Sequence, residues 1–97
     1  MCYIRNMPVY YVYILETIGK NKKKRFYTGY TNNLYRRLSE HKNGTGAKFC
    51  RGKNQIELKY FETFTNRKEA MRREIEIKSL SRQKKKELIS TININLV

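Results

Sequence analysis

Two short segments rich in tyrosine and β-branched residues, separated by a lysine-rich loop, constrain the fold of this chain more than any other feature. Residues 9–16 (VYYVYILE) contain no glycine or proline, which is typical of a buried β-strand. Residues 25–28 resume the pattern, and we expect Gly29 to end it where two backbones approach closely. The loop between them holds four lysines with Gly19 and Asn21. The sequence therefore predicts an antiparallel hairpin.

A short helix is predicted directly after this hairpin. Asn32 or Asn33 is expected to cap its start, and residues 43–44 (Asn-Gly) are typical of a helix end. Leu34 and Leu38 are four residues apart, so they lie on one side of the helix and define the stripe that faces the core.

The same helix carries two arginines and the chain's only histidine. At about 100° per residue, Arg37 and His41 border the leucine stripe, whereas Arg36 points toward water. Both bordering residues suit chemistry on a phosphate, but each has a structural alternative. An arginine stem can cover apolar surface, and a histidine can cap or pack a helix end. The sequence leaves these alternatives open.

A glycine-rich basic segment, residues 44–52, follows the helix. It matches neither GxxxxGK[ST] nor GxGxxG and does not follow a strand, so we exclude a nucleotide-binding loop. We predict a flexible basic loop that contains Lys48, Arg51 and Lys53.

The rest of the chain predicts one strand and two helices. Residues 56–64 alternate as a third strand with one solvated face. Asn66 and Glu69 form a capping box that begins a long helix, and Ser81 caps a last basic helix over residues 82–90. The prediction is one α+β domain with its core between about residues 9 and 90. It has a small three-stranded antiparallel sheet flanked by helices, in the order β-β-α-β-α-α.

One glutamate of the long helix is in an unexpected position. Glu74 falls within the apolar stripe that Ala70 and Ile77 define, whereas Glu76 points away from it. A carboxylate there is costly unless it is paired or bound to a cation. Two explanations are open, a partly buried ion pair with an arginine and a bound metal ion.

The balance of charge points to a polyanionic partner. The chain has 22 lysines and arginines against 8 acidic residues, a net charge of +14. Such a field attracts nucleic acid above all. An anionic membrane surface would call for an amphipathic basic helix with aromatic anchors, and tryptophan is absent. We therefore expect a nucleic-acid partner and no membrane.

Composition also excludes several kinds of site. All the acidic residues are glutamates, so an EF-hand loop is excluded. Cys2, Cys50 and a single histidine have no zinc-binding spacing, and two free thiols suit a reducing compartment. The apolar run near the N-terminus, residues 9–15, is too short to span a bilayer. We expect a soluble cytoplasmic protein that associates with the nucleoid.

Taken in order, these features resemble the GIY-YIG nuclease family. Tyr11-Val12-Tyr13 stands where that family has its first motif, and Tyr27-Thr28-Gly29 where it has the second. Arg37, His41 and Glu74 stand where the family has a helix arginine, a histidine and a metal-binding glutamate. The resemblance extends over most of the chain and is strongest to the small stand-alone branch.

The sequence departs from the family pattern at two positions. Tyr11 replaces a glycine of the first motif, which affects backbone detail. Tyr30 stands where some relatives have lysine or another small or polar residue, so lysine-assisted chemistry is not supported.

The resemblance implies a metal-dependent endonuclease that hydrolyses phosphodiester bonds of DNA in repair or processing. Glu74 would hold a single Mg²⁺ or Mn²⁺, and Arg37 would stabilise the charge that develops on the phosphate. Tyr13 is our first choice of general base, with Tyr27 assisting, although the two could exchange roles. His41 would relay a proton or hold the phosphate. One carboxylate makes a weak metal site until substrate completes it.

Several exposed cations are expected to contact the nucleic-acid backbone. They are Lys22, Lys23, Lys24, Arg36, Lys48, Arg51 and Lys53. The lysine-rich loop has an alternative as an ordinary solvated loop. We expect DNA in preference to RNA, and a monomer. Two other functions remain open, a basic nucleic-acid-binding module without catalysis and a basic protein bound to a ribosome or to an acidic protein.

Overall fold

A computed structural model describes residues 8–19, 21–43 and 55–92, which form a three-stranded antiparallel sheet with three helices. The elements are β1 (Tyr10–Ile18), β2 (Lys24–Thr31), α1 (Leu34–Lys42), β3 (Gln55–Phe64), α2 (Arg67–Lys78) and α3 (Arg82–Ile89). The predicted α+β class and element order are confirmed. None of the helices in these ranges has the length and apolar character that crossing a membrane requires.

Strand β1 is the centre of the sheet. The strand order is β2-β1-β3, and β1 is antiparallel to both neighbours. Val12, Ile14 and Leu15 are fully buried, because β1 is covered on both edges and on both faces. This explains why its sequence is nearly continuous in apolar and aromatic residues.

The hairpin strands are longer than the sequence predicted. β1 continues to Ile18, which pairs with Lys24 at the turn. The expectation that Gly29 ends β2 is wrong, because Gly29 pairs with Tyr13 and the ladder continues to Thr31. A glycine keeps its backbone hydrogen-bonding groups, so it need not interrupt a strand when it serves to make room for a neighbour.

The two faces of the sheet carry different helices, since successive side chains of a strand point to opposite sides. One face packs side chains of β1 against α1: Tyr13, Leu15, Leu34 and Leu38. The other packs β1 against α2 and α3: Val12, Ile14, Ala70, Ile77, Leu88 and Ile89. The predicted inward residues of α1 and α2 are confirmed. Among the described helices, α1 alone packs on the face that carries Tyr13 and Leu15.

Side-chain caps determine where each helix begins. The side chain of Asn33 accepts a hydrogen bond from the backbone N–H of Arg36 at 3.0 Å. Asn66 accepts from the backbone N–H groups of the second and third residues after it, Lys68 and Glu69. Ser81 accepts from the backbone N–H of the third residue after it, Lys84. The cap at Asn33 begins α1, the helix that carries Arg37 and His41.

Hydrogen bonds among Arg73, Glu62 and Tyr60, which we call the clamp, join α2 to β3. Arg73 donates two hydrogen bonds to the carboxylate of Glu62, both of 2.9 Å, and the phenol of Tyr60 donates to the same carboxylate. Burial and the Glu62 carboxylate raise the pKa of Tyr60 to about 12. Burial also raises the pKa of Glu62, but the hydrogen bonds from Arg73 and Tyr60 outweigh it and lower that pKa overall.

We predict that Arg73→Met lowers the free energy of unfolding by on the order of 2 kcal/mol, because Glu62 loses a charged bidentate partner. Since folding lowers the pKa of Glu62, this contribution is present above its ordinary pKa of 4.5 and is lost as the pH falls below that value. Urea denaturation followed by circular dichroism measures it. Arg72→Met, an exposed neighbour with the same charge change, should cost within about 0.5 kcal/mol. Equal losses in the two variants would contradict the clamp.

Candidate active site

Two strands and one helix bring three aromatic side chains into contact on the face of the sheet that α1 covers. The ring centroids of Tyr13 and Tyr27 lie 6.5 Å apart. The ring of His41, on α1, lies 6.0 Å from that of Tyr13 and 5.4 Å from that of Tyr27, edge-on to both. The structure thus unites three of the five residues predicted to be catalytic.

The phenol of Tyr13 joins a fourth predicted residue to this cluster. Its oxygen lies 3.1 Å from Nε2 of His41, and the phenol also interacts with the guanidinium of Arg37. Arg37 is held from the other side by Glu40, whose carboxylate lies 2.9 Å from Nη1. The Glu40 hydrogen bond raises the pKa of Arg37, burial opposes it, and the Tyr13 contact adds to it. Arg37 therefore stays charged beside the phenol.

The imidazole of His41 is buried and neutral. Only 1% of its surface is exposed. Burial lowers its pKa below the ordinary 6.5, and the positive charge of Arg37 lowers it further against the opposing effect of Glu40. Its Nδ1 has no hydrogen-bond partner among the described residues. Whether Nε2 accepts from Tyr13 or donates to it depends on the tautomer. The helix is capped at Asn43, so His41 does not serve as its cap.

Gly29 makes room for the phenol of Tyr13. A methyl group on Gly29 would lie 2.6 Å from the phenol oxygen and 2.8 Å from the ring carbon that bears it. Distances below 3.0 Å force a shift, so the phenol of Tyr13 crosses the neighbouring strand only where that strand has no side chain. The sequence predicted a close approach at this glycine, but it did not show that a catalytic candidate occupies the space.

The cluster meets solvent through two of its members. Tyr13 and His41 are 1% exposed, whereas the side chain of Arg37 is 31% exposed and Tyr27 is half-buried. Arg36 is 61% exposed and forms a 3.7 Å ion pair with Glu40. The predicted contrast between the two arginines is confirmed. A phosphate would reach the cluster at Arg37 and Tyr27.

Glu74, the fifth predicted residue, lies on α2, a helix whose Ala70 and Ile77 pack on the other face of the sheet. Its side chain is 17% exposed, and its carboxylate lies 3.4 Å from Nζ of Lys78. An ion pair was one of the two explanations offered for this glutamate, although its partner is a lysine one turn later on the same helix and not an arginine.

The donor groups limit what a metal site in this part of the chain can be. Among the described residues, no group of three histidine, cysteine or carboxylate side chains is placed to hold an ion. Glu74 offers one hard oxygen donor. Such a donor fits Mg²⁺ or Mn²⁺, which keep most of their waters and take further oxygens from substrate phosphates. A firmly held structural metal does not fit.

Three of the five lysines predicted to bind nucleic acid lie at the turn of the hairpin. Lys22, Lys23 and Lys24 are all exposed, and Lys22 has a left-handed backbone with φ of 62°. Five residue pairs separate the turn from the Tyr13–Gly29 pair, a distance of about 17 Å along the strands. The loop that contains Lys48, Arg51 and Lys53 lies outside the described residues.

Comparison with known proteins identifies similar chains. A family model described as the GIY-YIG catalytic domain matches residues 9–87. The chain is 50% identical over 84 residues to a UPF0213 protein of Clostridium perfringens, covering 87% of this chain and 86% of that one. It is 47% identical over 81 residues to a UPF0213 protein of Natronomonas pharaonis, covering 84% and 91%. The solution NMR structure of a UPF0213 protein from Bacillus halodurans matches with a TM-score of 0.50 and 43% identity, covering 86% of this chain and 84% of that one.

We predict that Gly29→Ala destabilises the fold by about 2 kcal/mol, because the added methyl displaces the phenol of Tyr13. In a Tyr13→Leu background the same change should cost much less, since the phenol that it strikes is gone. A double-mutant cycle of unfolding free energies measures the coupling. Additive losses would show that the two residues do not compete for this space.

We predict that His41 titrates below pH 6.5. Because it is the chain's only histidine, its imidazole protons give a single NMR titration curve. Folding lowers its pKa, so the unfolded chain binds the proton more readily and stability falls as the pH drops through and below 6.5. His41→Gln should flatten this loss between pH 7.5 and 5.5. A titration midpoint at or above 6.5 would contradict the buried neutral imidazole.

Proposed function

Because the chain belongs to the GIY-YIG family, as the match over residues 9–87 and the 50% identical relative show, we propose that it is a metal-dependent endonuclease that hydrolyses phosphodiester bonds of DNA. Family membership supports a nuclease. The names of the relatives state no reaction. The observation that carries the proposal is the contact of one phenol, that of Tyr13, with both Arg37 and His41.

Arg37 supplies the positive charge that the reaction needs. A phosphodiester under attack gains negative charge on its non-bridging oxygens, and a guanidinium positioned in advance stabilises that charge. Arg37 suits this role because Glu40 and Tyr13 hold it in place while part of its side chain reaches solvent. Two groups on the protein fix it, so little reorganisation is needed when substrate binds.

Tyr13 and His41 supply a path for the proton of the attacking water. In the tautomer with its proton on Nδ1, Nε2 of His41 accepts the phenol proton while the phenol oxygen takes a proton from the attacking water, which would enter from the solvent-exposed side of the cluster at Arg37 and Tyr27. The hydroxide then attacks phosphorus, and the leaving oxygen is protonated from solvent. Because burial and Arg37 disfavour the imidazolium, His41 acts as a relay and returns the proton readily. Tyr27, which is half-buried, assists from the solvent side.

Glu74 would hold a single Mg²⁺ or Mn²⁺, which would act as a Lewis acid toward phosphate oxygens when bound. One protein carboxylate implies weak binding until the substrate supplies further oxygens. We place the activity in DNA repair or processing, in the cytoplasm at the nucleoid, and we favour DNA over RNA because the family resemblance points to DNA.

A cleavage screen tests the proposal. Labelled single-stranded, duplex and branched DNA, with matching RNA, are incubated with the protein in Mg²⁺, Mn²⁺ or chelator. We expect metal-dependent cutting of at least one DNA. Arg37→Ala should lower the turnover number by about 10²–10³, as expected for loss of a group that stabilises transition-state charge. Arg72→Ala, an exposed arginine on α2, is the control and should change it by less than about threefold.

Two outcomes would contradict parts of the proposal. Cutting that survives Glu74→Ala would remove Glu74 from the reaction. Binding that depends steeply on salt, without cutting of any substrate in either metal, would support the alternative of a basic binding module without catalysis.

A further inference from the structure

An open groove of about 550 Å³ lies between the start of β2 and helix α3. Its lining contains five cationic side chains, one phenylalanine and no carboxylate. The residues are Lys23, Lys24, Arg25, Phe26, Arg82 and Lys85. Three of the cations, Arg25, Arg82 and Lys85, were not among those that the sequence predicted to bind nucleic acid. Arg82 and Lys85 lie beside the hairpin only because of how α3 packs.

The positive charge of the groove is not neutralised within the described part of the chain. Seven of the glutamates in that part form ion pairs, and their partners lie elsewhere: Arg36, Arg37, Lys59, Arg73, Lys78 and Lys84. None of the five groove cations is in that set. A concave site with several unneutralised cations attracts a ligand that carries several negative charges along its length.

One groove cation is held in place by an aromatic ring. The guanidinium carbon of Arg82 lies 4.7 Å from the centroid of the Phe26 ring. A stacked guanidinium loses little further freedom when its N–H groups bind a phosphate, and its planar fork matches phosphate oxygens. Arg82 should therefore lose less conformational entropy on binding a phosphate than an unrestrained surface lysine would.

The groove is separate from the tyrosine–histidine cluster. Phe26 packs with Val12 and Ile14, on the face of the sheet that α2 and α3 cover, whereas Tyr13 packs with α1 on the other face. Phe26 and Gly29 are also three residues apart along β2, about 10 Å. A phosphate bound in the groove is thus a different phosphate from one bound at Arg37.

We propose that this groove binds the sugar-phosphate backbone of nucleic acid at a second position, away from the bond that is cut. The proposal rests on the proposed function for the identity of the ligand. A strand that occupies both places crosses the open edge of β2, the outer strand of the sheet. A membrane surface fits less well, because none of the large exposed apolar side chains of the described residues lines the groove.

The test compares two double variants that remove the same charge. Arg82→Gln with Lys85→Gln neutralises two groove cations, whereas Arg72→Gln with Lys84→Gln neutralises two cations of α2 and α3 that do not line the groove. Fluorescence anisotropy with labelled single-stranded and duplex DNA, without divalent ions, gives the dissociation constant at several salt concentrations. Circular dichroism confirms that each variant is folded.

We expect the groove variant to bind roughly tenfold more weakly at 0.1 M salt, and its plot of log affinity against log salt to be less steep by about two. The control variant should stay within about twofold of wild type. Equal weakening of both variants would overturn the proposal, because it would show that only net charge matters. A larger effect on binding to phosphatidylserine vesicles than to DNA would overturn it in favour of a lipid surface.

This outcome is independent of the cleavage screen. If no substrate is cut but the groove variant binds selectively worse than the control, the groove assignment stands and the nuclease proposal fails. If DNA is cut and the two double variants bind equally, the groove assignment fails and the nuclease proposal stands.

Discussion

The absence of a side chain at Gly29 is the constraint on which the site depends. It lets the phenol of Tyr13 lie across the neighbouring strand, where a methyl group would approach it to 2.6 Å. From that position the phenol contacts both Nε2 of His41 and the guanidinium of Arg37. Tyr13 on β1 and Gly29 on β2 therefore depend on each other for their packing. Helix α1 contributes Arg37 and His41 to the same site.

The members of this cluster differ in their exposure to solvent, and this difference separates their roles. Tyr13 and His41 are shielded from water, which keeps the imidazole neutral, whereas Arg37 and Tyr27 reach solvent. A charged phosphate can thus contact the guanidinium at the surface while proton transfer takes place beneath it. The low dielectric constant of the protein interior strengthens the hydrogen bond between Tyr13 and His41. Ion pairs elsewhere neutralise most of the glutamates, and the groove of β2 and α3 keeps its positive charge.

Local signals allowed most of the fold and part of the site to be predicted. Caps at Asn33, Asn66 and Ser81 act within one turn, so their helices were found at almost their observed starts. The contrast between Arg36 and Arg37 follows from helix geometry and is confirmed. β2 was predicted too short because a glycine was taken as a stop. Features that need two distant segments, such as Lys24 beside Arg82, could not be read from spacing.

The central claim is that Tyr13 and His41 act as one proton-transfer unit beside Arg37. Single-turnover cleavage rates of Tyr13→Phe, His41→Gln and the double variant, measured with saturating protein and Mg²⁺, test it most directly. Groups that act as a unit are strongly non-additive, so the double variant should cleave about as slowly as the slower single variant. Multiplied effects in the double variant would show that the two residues act independently and would contradict the account.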